Sequence, residues 1–425
     1  MRPGESTSVS ANGLGEFRRG GPALAGSLLG AGCGLSSISF YTHSVFVAPI
    51  SNDTGWSRGD VQFGVTIMIL MAIVTAPAVG LLMDRFGARR IALISMPLYG
   101  LTLAALGLST DSLWTYYVAW AVMSILAAGT LPVTWTRVVN SWFDRYRGIA
   151  LGITLAGTGI AATFGPTYAT WLIGEFGWRT AYMLIAVTIT AIGFPAVYFL
   201  FRQPDTDAPV TRGNVADRPV VTSVKGLAPG EALRGYRFWA LSIGLVLAAA
   251  GISGLITNVV PMLIDQGLTP PDAARYAGLI GVSVIVGRLV VGALVDRFWA
   301  PLVAAIFLSA PAIAALMLSG AAPPAFIISV SMVLIGLAAG AELDLMAFLV
   351  SRYFGLKHYG ALYGALYVSF SIGAGFAPVT FGKVFDAVGS YGPVLTIVAA
   401  MSAGGGLLML TLGRYPPAFS RAAQE

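Results

Sequence analysis

GLLMDRFGARR occupies Gly80–Arg90, and its first seven residues recur 212 positions later as GALVDRF in Gly292–Phe298. The same offset relates further pairs of small residues, which are Gly148 and Gly360, Gly152 and Gly364, Pro166 and Pro378, and Gly177 and Gly389. Chance matches of small residues are common in apolar helices, but one offset shared by three regions indicates an internal duplication. The sequence therefore predicts two related halves.

The amino-acid composition places both halves in a membrane. Of the 425 residues, 56% are hydrophobic and 10% are charged, whereas soluble domains carry about 25% charged residues. The net charge of +6 does not predict a nucleic-acid partner, because the basic residues form no stripe with interleaved aromatic residues. The single cysteine, Cys33, cannot form an internal disulfide, and we expect it to serve packing.

Runs of about 20 apolar residues predict membrane-spanning helices, because a helix satisfies its own backbone polar groups in lipid. The sequence contains twelve such runs, at 23–50, 61–83, 91–109, 113–141, 147–174, 179–201, 237–265, 274–296, 300–319, 325–350, 359–386 and 390–413. The predicted fold class is an all-α membrane protein with twelve transmembrane helices in two six-helix pseudo-repeats.

One long polar connection, Arg202–Tyr236, divides these spans six and six. We expect a cytoplasmic amino-terminal tail at 1–22, helix bundles at 23–201 and 237–413, a cytoplasmic central loop at 202–236 and a cytoplasmic carboxy-terminal tail at 414–425. The first 22 residues lack the apolar core and cleavage site of a signal peptide, so the first helix is expected to act as an uncleaved insertion signal.

The basic residues test this arrangement, since cytoplasmic loops of membrane proteins are rich in Lys and Arg. With both termini inside, 19 of the 25 basic residues fall on the cytoplasmic side and four on the outer side. The other two, Arg137 and Arg288, lie inside predicted helices. This distribution predicts cytoplasmic termini in a multi-pass cell-membrane protein, with the bacterial inner membrane as the expected location.

The stretch Gly80–Arg90 resembles the loop signature of the major facilitator superfamily, which lies between the second and third helices of that fold. The matching positions are Gly80, Asp84, Gly87, Arg89 and Arg90, and the second copy keeps Asp296 and Arg297. Gly80 permits close helix contact, Asp84 can accept hydrogen bonds at a neighbouring helix N-terminus, and Gly87 turns the chain. The resemblance implies that the segment acts on the conformational equilibrium. The alternative is a basic loop with a tight turn.

Two further stretches indicate a resemblance to one family within this superfamily. SWFDRYRGIALGITLAGTGIA at Ser141–Ala161 and GWSR at Gly55–Arg58 are similar to segments of the monocarboxylate transporter family and its bacterial relatives, including oxalate:formate antiporters. The resemblance implies transport of a small carboxylate. It also implies that Arg288, in predicted helix eight, anchors the carboxylate of the substrate.

Ionisable groups at membrane depth are costly and often functional. Arg288 lies eight residues before Asp296, about 12 Å from the cytoplasmic end of its helix and thus near mid-membrane. An arginine can bind a carboxylate through two parallel donors and stays charged. The structural alternative is an ion pair without a transport role.

Two acidic residues in GAELDLMAF, Glu342 and Asp344, lie at about the same depth, ten and eight residues before Arg352. Residues two apart on a helix point about 200° away from each other, so we expect only one of them to face a given cavity. One is predicted to pair with Arg288 or carry a proton, and the other to face a neighbouring helix. Glu342 is slightly favoured as the proton carrier.

Other polar residues lie on helices that the fold places beside a central cavity. They are Tyr41, His43, Asn258, Tyr363 and Tyr367, each of which fits substrate binding or packing, and Arg137, which can snorkel to the interface or touch substrate. The sequence shows no nucleotide-binding loop, metal-ligand cluster or nucleophile–base pair, so we expect no cofactor, no metal and no enzymatic activity.

These patterns predict a secondary active transporter, in first place a proton-coupled symporter of a small organic anion such as a monocarboxylate or an aromatic acid. The partners expected are this carboxylate, protons and the lipid bilayer; the oligomeric state stays open, and a monomer is compatible with the pattern. Alternatives on the same fold are a carboxylate exchanger and a multidrug or sugar exporter. A membrane sensor or membrane enzyme is a distant alternative, because the central loop is short and polar.

Overall fold

The computed structural model describes residues 8–109, 112–143, 147–203, 226–320, 323–355 and 357–416, and helices make up its regular structure. In chain order these are α1 (Ser8–Gly32), α2 (Leu35–Thr54), α3 (Arg58–Phe86), α4 (Ala88–Leu106), α5 (Leu113–Leu126), α6 (Pro132–Trp142), α7 (Arg147–Pro195), α8 (Pro229–Arg234), α9 (Tyr236–Asp265), α10 (Pro270–Arg297), α11 (Ala300–Leu318), α12 (Ala325–Phe354), α13 (Tyr359–Val388) and α14 (Gly392–Leu410).

The helices form the two six-helix repeats that the sequence predicts. By length and composition, eight of the described helices can cross a membrane. One of them, α7, contains two spans, because Gly177 has φ 76° and turns the chain between them. The remaining spans are α4 and two interrupted helices, α1–α2 and α5–α6. Since lipid offers no partner for loose backbone groups, these interruptions must be satisfied by neighbouring helices.

The two interruptions of the amino-terminal half meet each other. The backbone N–H of Leu35, at the start of α2, donates to the hydroxyl of Thr130 at 3.0 Å, between α5 and α6. A Cβ on Gly34 would lie 2.6 Å from the carbonyl oxygen of Thr130, so only glycine fits this contact. Pro132 then begins α6 at a position where its missing N–H costs nothing. The α5–α6 break therefore supplies a hydrogen-bond acceptor for the start of α2.

The amino terminus differs from the expected tail. Helix α1 begins at Ser8, well before the predicted start of the first span at residue 23. Its extension packs against the loop end of α6, where the rings of Phe17 and Phe143 are 5.1 Å apart and edge-on. Gly20 allows this approach, because a Cβ there would lie 2.7 Å from the ring of Phe143. This apolar contact holds in place the part of α1 before residue 23, whose composition predicted a tail.

Two helix pairs carry the interface between the halves: α3 with α13, and α7 with α10. Both pairs run antiparallel across the whole bundle. We call the end that carries the α3–α4 turn around Gly87 the signature face, and the end that carries the α2–α3 turn Gly55–Ser57 the opposite face. We call the region between the halves, beside these four helices, the cleft.

Candidate functional site

Helices α10 and α12 approach each other closely near mid-membrane because both present glycine. A Cβ on Gly336 or Gly340 would lie 2.5 or 2.2 Å from the carbonyl oxygens of Ile280 and Val284. The spacing of the two α12 glycines, four residues apart, is the small-residue pattern that brings membrane helices together. This contact brings the acidic residues that follow on α12, Glu342 and Asp344, toward the side chain of Arg288.

Arg288 and Asp344 form an ion pair in the cleft, with 3.8 Å between Arg288 Nε and Asp344 Oδ2. The side chains are 15% and 36% exposed. This separation is longer than a hydrogen bond, and the described residues offer Arg288 no hydrogen bond. Its guanidinium donors are therefore free for a ligand that carries an oxyanion.

Glu342 is a second acidic residue that interacts with the same guanidinium. It interacts electrostatically with Arg288, yet its Oε2 atom is inaccessible to solvent and has no hydrogen-bond partner among the described residues. Both carboxyls thus interact with Arg288, Asp344 through an ion pair and Glu342 electrostatically. Which of the two faces a cavity stays a prediction.

Two tyrosines complete the surroundings of Glu342. Tyr41 of α2 interacts electrostatically with both Glu342 and Arg288, and it is the contribution of the amino-terminal half to this cluster. Tyr367 of α13 also interacts electrostatically with Glu342. Its ring stacks on Phe370 at 5.6 Å and on Tyr363 at 6.5 Å between centroids. The cluster therefore combines one cation, two carboxyls and an aromatic wall.

At the opposite face, the two halves are joined by ionic contacts. The guanidinium of Arg58 donates to both carboxylate oxygens of Asp265, at 2.5 and 2.9 Å, and lies 3.9 Å from the centroid of the Phe385 ring. It also donates to the Tyr391 hydroxyl at 3.1 Å. Burial raises the pKa of Tyr391 to about 12, so this phenol remains neutral beside the cation.

The first turn of α3 is capped from the other half. The carboxylate of Asp386 on α13 accepts from the backbone N–H groups of Arg58 and Gly59 at 3.0 and 2.9 Å. Lys383 donates to Asp60 at 2.8 Å. A carboxylate at a helix N-terminus satisfies free N–H groups and opposes the helix dipole. These contacts close the cleft at the opposite face.

The family model of the Major Facilitator Superfamily matches residues 29–378. The chain belongs to this superfamily. Among its relatives are an uncharacterised 38 kDa protein of Thermoproteus tenax, 28% identical over 90% of this chain and 94% of that one, and the oxalate:formate antiporter of Oxalobacter formigenes, 26% identical over 60% and 57%. Human monocarboxylate transporter 11 is 24% identical over 59% of this chain and 50% of that one. The predicted family resemblance is thus confirmed.

A solved structure supports the major facilitator fold. A bacterial homologue of the human lysosomal transporter Spinster, in an inward-facing and occupied conformation, superposes with a TM-score of 0.64. The alignment covers 93% of this chain and 94% of that chain at 17% sequence identity. The predicted fold class, with twelve spans in two halves, is therefore confirmed for this superfamily member.

The superfamily loop signature occupies the end of α3 and the start of α4. Gly87 has φ 81° and makes the turn between them, and Arg89 donates to the carbonyl oxygen of Tyr198 at 2.7 Å, in the π-helical turn Ala196–Leu200 that follows α7. Arg90 and Arg297 are exposed. The side chains of Asp84 and Asp296 lie outside the described part of the structure, so their roles stay predictions.

Some predicted site residues lie away from Arg288. Asn258 is fully buried in the interface between the halves, where its side chain accepts from Gln62 at 3.0 Å and donates to the carbonyl oxygen of Gly254 at 3.0 Å. His43 is 1% exposed and packs edge-on against Trp120 within the amino-terminal half. Arg137 is half-buried on α6. Among the predicted binding and coupling residues, contacts in the described part of the chain connect the following with Arg288: Tyr41, Glu342, Asp344, Tyr367 and, through the ring of Tyr367, Tyr363.

Sequence analysis missed the charged residues that close the opposite face. Arg58 is one of the four basic residues counted on the outer side and was given no further role, while Asp265 and Asp386 were not singled out at all. The available signal was weak, because each lies at a helix end, where charged residues are expected anyway. A search for opposite charges at helix ends on the same predicted face would have found Arg58 and Asp265, without indicating that they pair.

Proposed function

We propose that this transporter is a proton-coupled symporter of a small organic anion, in first place a monocarboxylate or an aromatic acid. The observation that carries the proposal is the Arg288 guanidinium, which has no hydrogen bond among the described residues, pairs with Asp344 and interacts electrostatically with Glu342. A guanidinium in this state fits a carboxylate ligand through two parallel donors.

The charges of the cluster suggest how a proton accompanies the anion. Asp344 already has a cationic partner at 3.8 Å, whereas the inaccessible Oε2 of Glu342 has no partner among the described residues. An ionised Glu342 repels an incoming carboxylate, and burying two anions beside one cation is costly. Protonation of Glu342 removes one of these charges. Anion and proton therefore bind together with less cost than the anion alone.

The aromatic residues bear on the shape of the substrate. Tyr41 approaches the cluster from the amino-terminal half, and Tyr363, Tyr367 and Phe370 form a stacked wall on α13. Such a wall provides apolar surface for the body of a small acid while Arg288 holds its carboxylate. Tyr41 is on the amino-terminal half and Arg288 on the carboxy-terminal half. A ligand that contacts both residues therefore links the two halves.

Carboxylate exchange is a second candidate, favoured by the similarity to the oxalate:formate antiporter. An exchanger needs Arg288 in the same role, but it returns to its starting state only with a second anion bound. Proton symport and exchange therefore differ in what the empty transporter can do. After releasing its proton, the empty symporter can turn its binding site back to the loading side. The empty exchanger cannot.

The test is uptake of radiolabelled carboxylates into proteoliposomes, with and without a pH gradient that is acid on the loading side. We expect accumulation that depends on the gradient and stops when a protonophore removes it. Uptake that needs internal anion and ignores the gradient would assign exchange instead. Liposomes that contain the Arg288→Ala variant are the matched control, and equal uptake by that variant would refute the anion site.

We also propose that the signature face is cytoplasmic in a bacterial inner membrane, as the distribution of basic residues suggests. The structure places Arg85, Arg90, Arg297 and Lys357 at or near this face, and all four are exposed. A reporter fused at position 215, or after residue 425, should behave as cytoplasmic. A reporter active only on the outer side would reverse the orientation of the whole bundle.

A further inference from the structure

A groove opens at the opposite face between the first turns of α10 and α12. It encloses about 550 Å³. Nearer mid-membrane the two helices meet, since a Cβ on Gly336 would lie 2.5 Å from the carbonyl oxygen of Ile280. The described apolar lining of the groove consists of Leu268, Leu279, Pro323 and Ile328. The groove is therefore a separation of two neighbouring spans with apolar walls.

Arg275, which also lines the groove, faces away from the cleft. It precedes Arg288 by thirteen residues, which is a rotation of about 220° around the helix at about 100° per residue. Arg288 interacts with Tyr41 of the other half and so marks the cleft side of α10. Arg275 begins an exposed stripe that continues through Val282, Val286 and Leu289. Exposed apolar side chains within a span face lipid, so the groove opens toward the bilayer.

Arg275 also lies at the level of the lipid headgroups. Thirteen residues at about 1.5 Å each place it about 20 Å along the helix from Arg288, which lies near mid-membrane. Half of the hydrocarbon core is about 15 Å thick, so Arg275 lies just beyond it. Tyr276 lines the groove beside Arg275, and tyrosine is enriched at membrane interfaces. A lipid in this groove would have its polar end at Arg275 and its apolar end along Leu279 and Ile328.

The polar end of the groove carries both signs of charge. Arg275 Nη1 donates to Asp272 Oδ1 at 3.2 Å, and the two side chains are 72% and 49% exposed. This contact uses one of the five donors of the guanidinium. An exposed pair of this kind contributes little stability, so a ligand can replace it at small cost.

The amino-terminal repeat carries the same helix cap in a different setting. Asp60 and Asp272 correspond at the offset of 212 residues, and each accepts from the hydroxyl of its helix N-cap at 2.7 Å. The second oxygen of Asp60 accepts from Lys383 of the other half at 2.8 Å, so this charge belongs to the interface between the halves. Phe63 stands at the position of Arg275. Of the two corresponding sites, only the carboxy-terminal one carries a lipid-facing ion pair.

We propose that this groove binds phosphatidylethanolamine from the leaflet at the opposite face. Arg275 holds the lipid phosphate through charge-assisted hydrogen bonds, and the carboxylate of Asp272 accepts from the lipid ammonium. The upper part of an acyl chain lies along Leu279 and Ile328, which removes apolar surface from water. The site is separate from the cleft and does not depend on which solute is transported.

The two charges distinguish this lipid from other phospholipids. Phosphatidylcholine has the same phosphate, but its quaternary ammonium has no N–H to donate to Asp272. Phosphatidylglycerol carries no cation, so its net negative charge meets the Asp272 carboxylate without compensation. Of these three lipids, phosphatidylethanolamine alone presents both a phosphate and N–H donors. We therefore expect it to bind more tightly than the other two.

Native mass spectrometry of the purified full chain, titrated with the dioleoyl form of each lipid, measures this order. Phosphatidylethanolamine should be retained at about tenfold lower concentration than the other two, the scale of one hydrogen bond to a charged group. Stepwise N-methylation of its headgroup should weaken retention, most of all at the third methyl group, which removes the last N–H. Equal retention of the three lipids, or a preference for phosphatidylglycerol, would overturn the proposal.

Variants assign the two ends of the headgroup. Arg275→Gln should lower the retention of phosphatidylethanolamine by about tenfold. Asp272→Asn should retain phosphatidylethanolamine and phosphatidylcholine equally, while the Thr269 hydroxyl still caps α10. The matched control is Arg179→Gln, because Arg179 also pairs with an exposed aspartate, Asp53, in the amino-terminal half. It should retain the lipid as the parent does, and an equal loss in this variant would contradict the assignment.

A soluble headgroup separates lipid binding from simple phosphate binding. Glycerophosphoethanolamine, which has no acyl chains, should fail to displace the lipid at equal concentration, because it cannot fill the apolar part of the groove. Full displacement would show that the site recognises the headgroup alone and would refute a lipid site. The methylation series and this competition use the parent protein, so both remain decisive even where a variant unfolds.

Discussion

The two halves of this transporter share a scaffold but differ in chemistry at the level of the cleft. At the repeat offset of 212 residues, Arg288, Glu342 and Asp344 correspond to Ala76, Thr130 and Pro132. The carboxy-terminal half carries charges on unbroken helices. The amino-terminal half carries a helix break, in which the Thr130 hydroxyl accepts from Leu35 N–H and donates to the carbonyl oxygen of Ala127.

This difference shows how a duplicated membrane fold can divide its tasks. A charged cluster at membrane depth is costly, so one copy is enough where one anion is bound. The Thr130 hydroxyl has both its partners within the protein, whereas Glu342 Oε2 has none among the described residues. The polar group of the amino-terminal half is thus satisfied within the protein, whereas the carboxy-terminal half keeps an unsatisfied carboxyl oxygen, which the proposed binding of an anion and a proton would use.

Removing the cation should have the largest effect on transport. Arg288→Lys keeps the charge but loses the paired donors, so carboxylate affinity should fall by about 1–3 kcal/mol, the scale of a hydrogen bond to a charged group. Arg288→Ala should cost more, because it also leaves Asp344 without its partner. Equilibrium binding of the best transported acid measures both. Ala76→Ser, at the corresponding position of the other half, is the control and should bind normally.

The next largest effect should be a difference between variants of the two carboxyls of α12. Glu342→Gln mimics the protonated acid, so it should abolish accumulation driven by a pH gradient while counterflow of labelled substrate persists. Asp344→Asn should show the other pattern, with weakened binding and remaining pH dependence. Uptake and counterflow in proteoliposomes measure both. If both variants still accumulate substrate fully under a pH gradient, α12 has no part in coupling.

A smaller effect is expected at the loop signature. Asp84→Asn should slow turnover by about twofold to thirtyfold with little change in substrate affinity, because the segment is expected to bias the conformational equilibrium. Asp296→Asn, in the repeat that lacks the trailing basic pair, should slow turnover less. Initial rates and binding constants of the two variants test the comparison. A loss of affinity at unchanged turnover would contradict this role for Asp84.

The smallest effect on transport should come from the helix break. Thr130→Val keeps the side-chain shape but leaves the Leu35 N–H without its acceptor, so stability should fall by about 1–3 kcal/mol. The pH dependence of uptake should not change, since no charge is lost. Thermal unfolding in detergent and uptake by the folded fraction measure the two. Altered proton coupling in this variant would show that the halves do not divide their tasks in this way.

The sequence predicted much of the cleft because charges are rare in a lipid-facing chain. Arg288, Glu342 and Asp344 stand out from their apolar surroundings, and the structure brings them together. Asn258 and His43 contact Gln62 and Trp120 instead, and their roles in binding stay predictions. Small and uncharged polar groups can be buried by a hydrogen bond or an aromatic neighbour, so their presence in a helix does not distinguish a cavity from an interface.

The sequence by itself determined the duplication, the twelve spans and the family, because lipid imposes long apolar helices and the repeat preserves glycines at one offset. Only the tertiary structure decided which groups meet. Arg58 and Asp265 are 207 residues apart, and the breaks at Gly34 and Thr130 are far apart along the chain. Such contacts depend on which helix faces which neighbour and at what height, and hydrophobic patterning constrains neither of these.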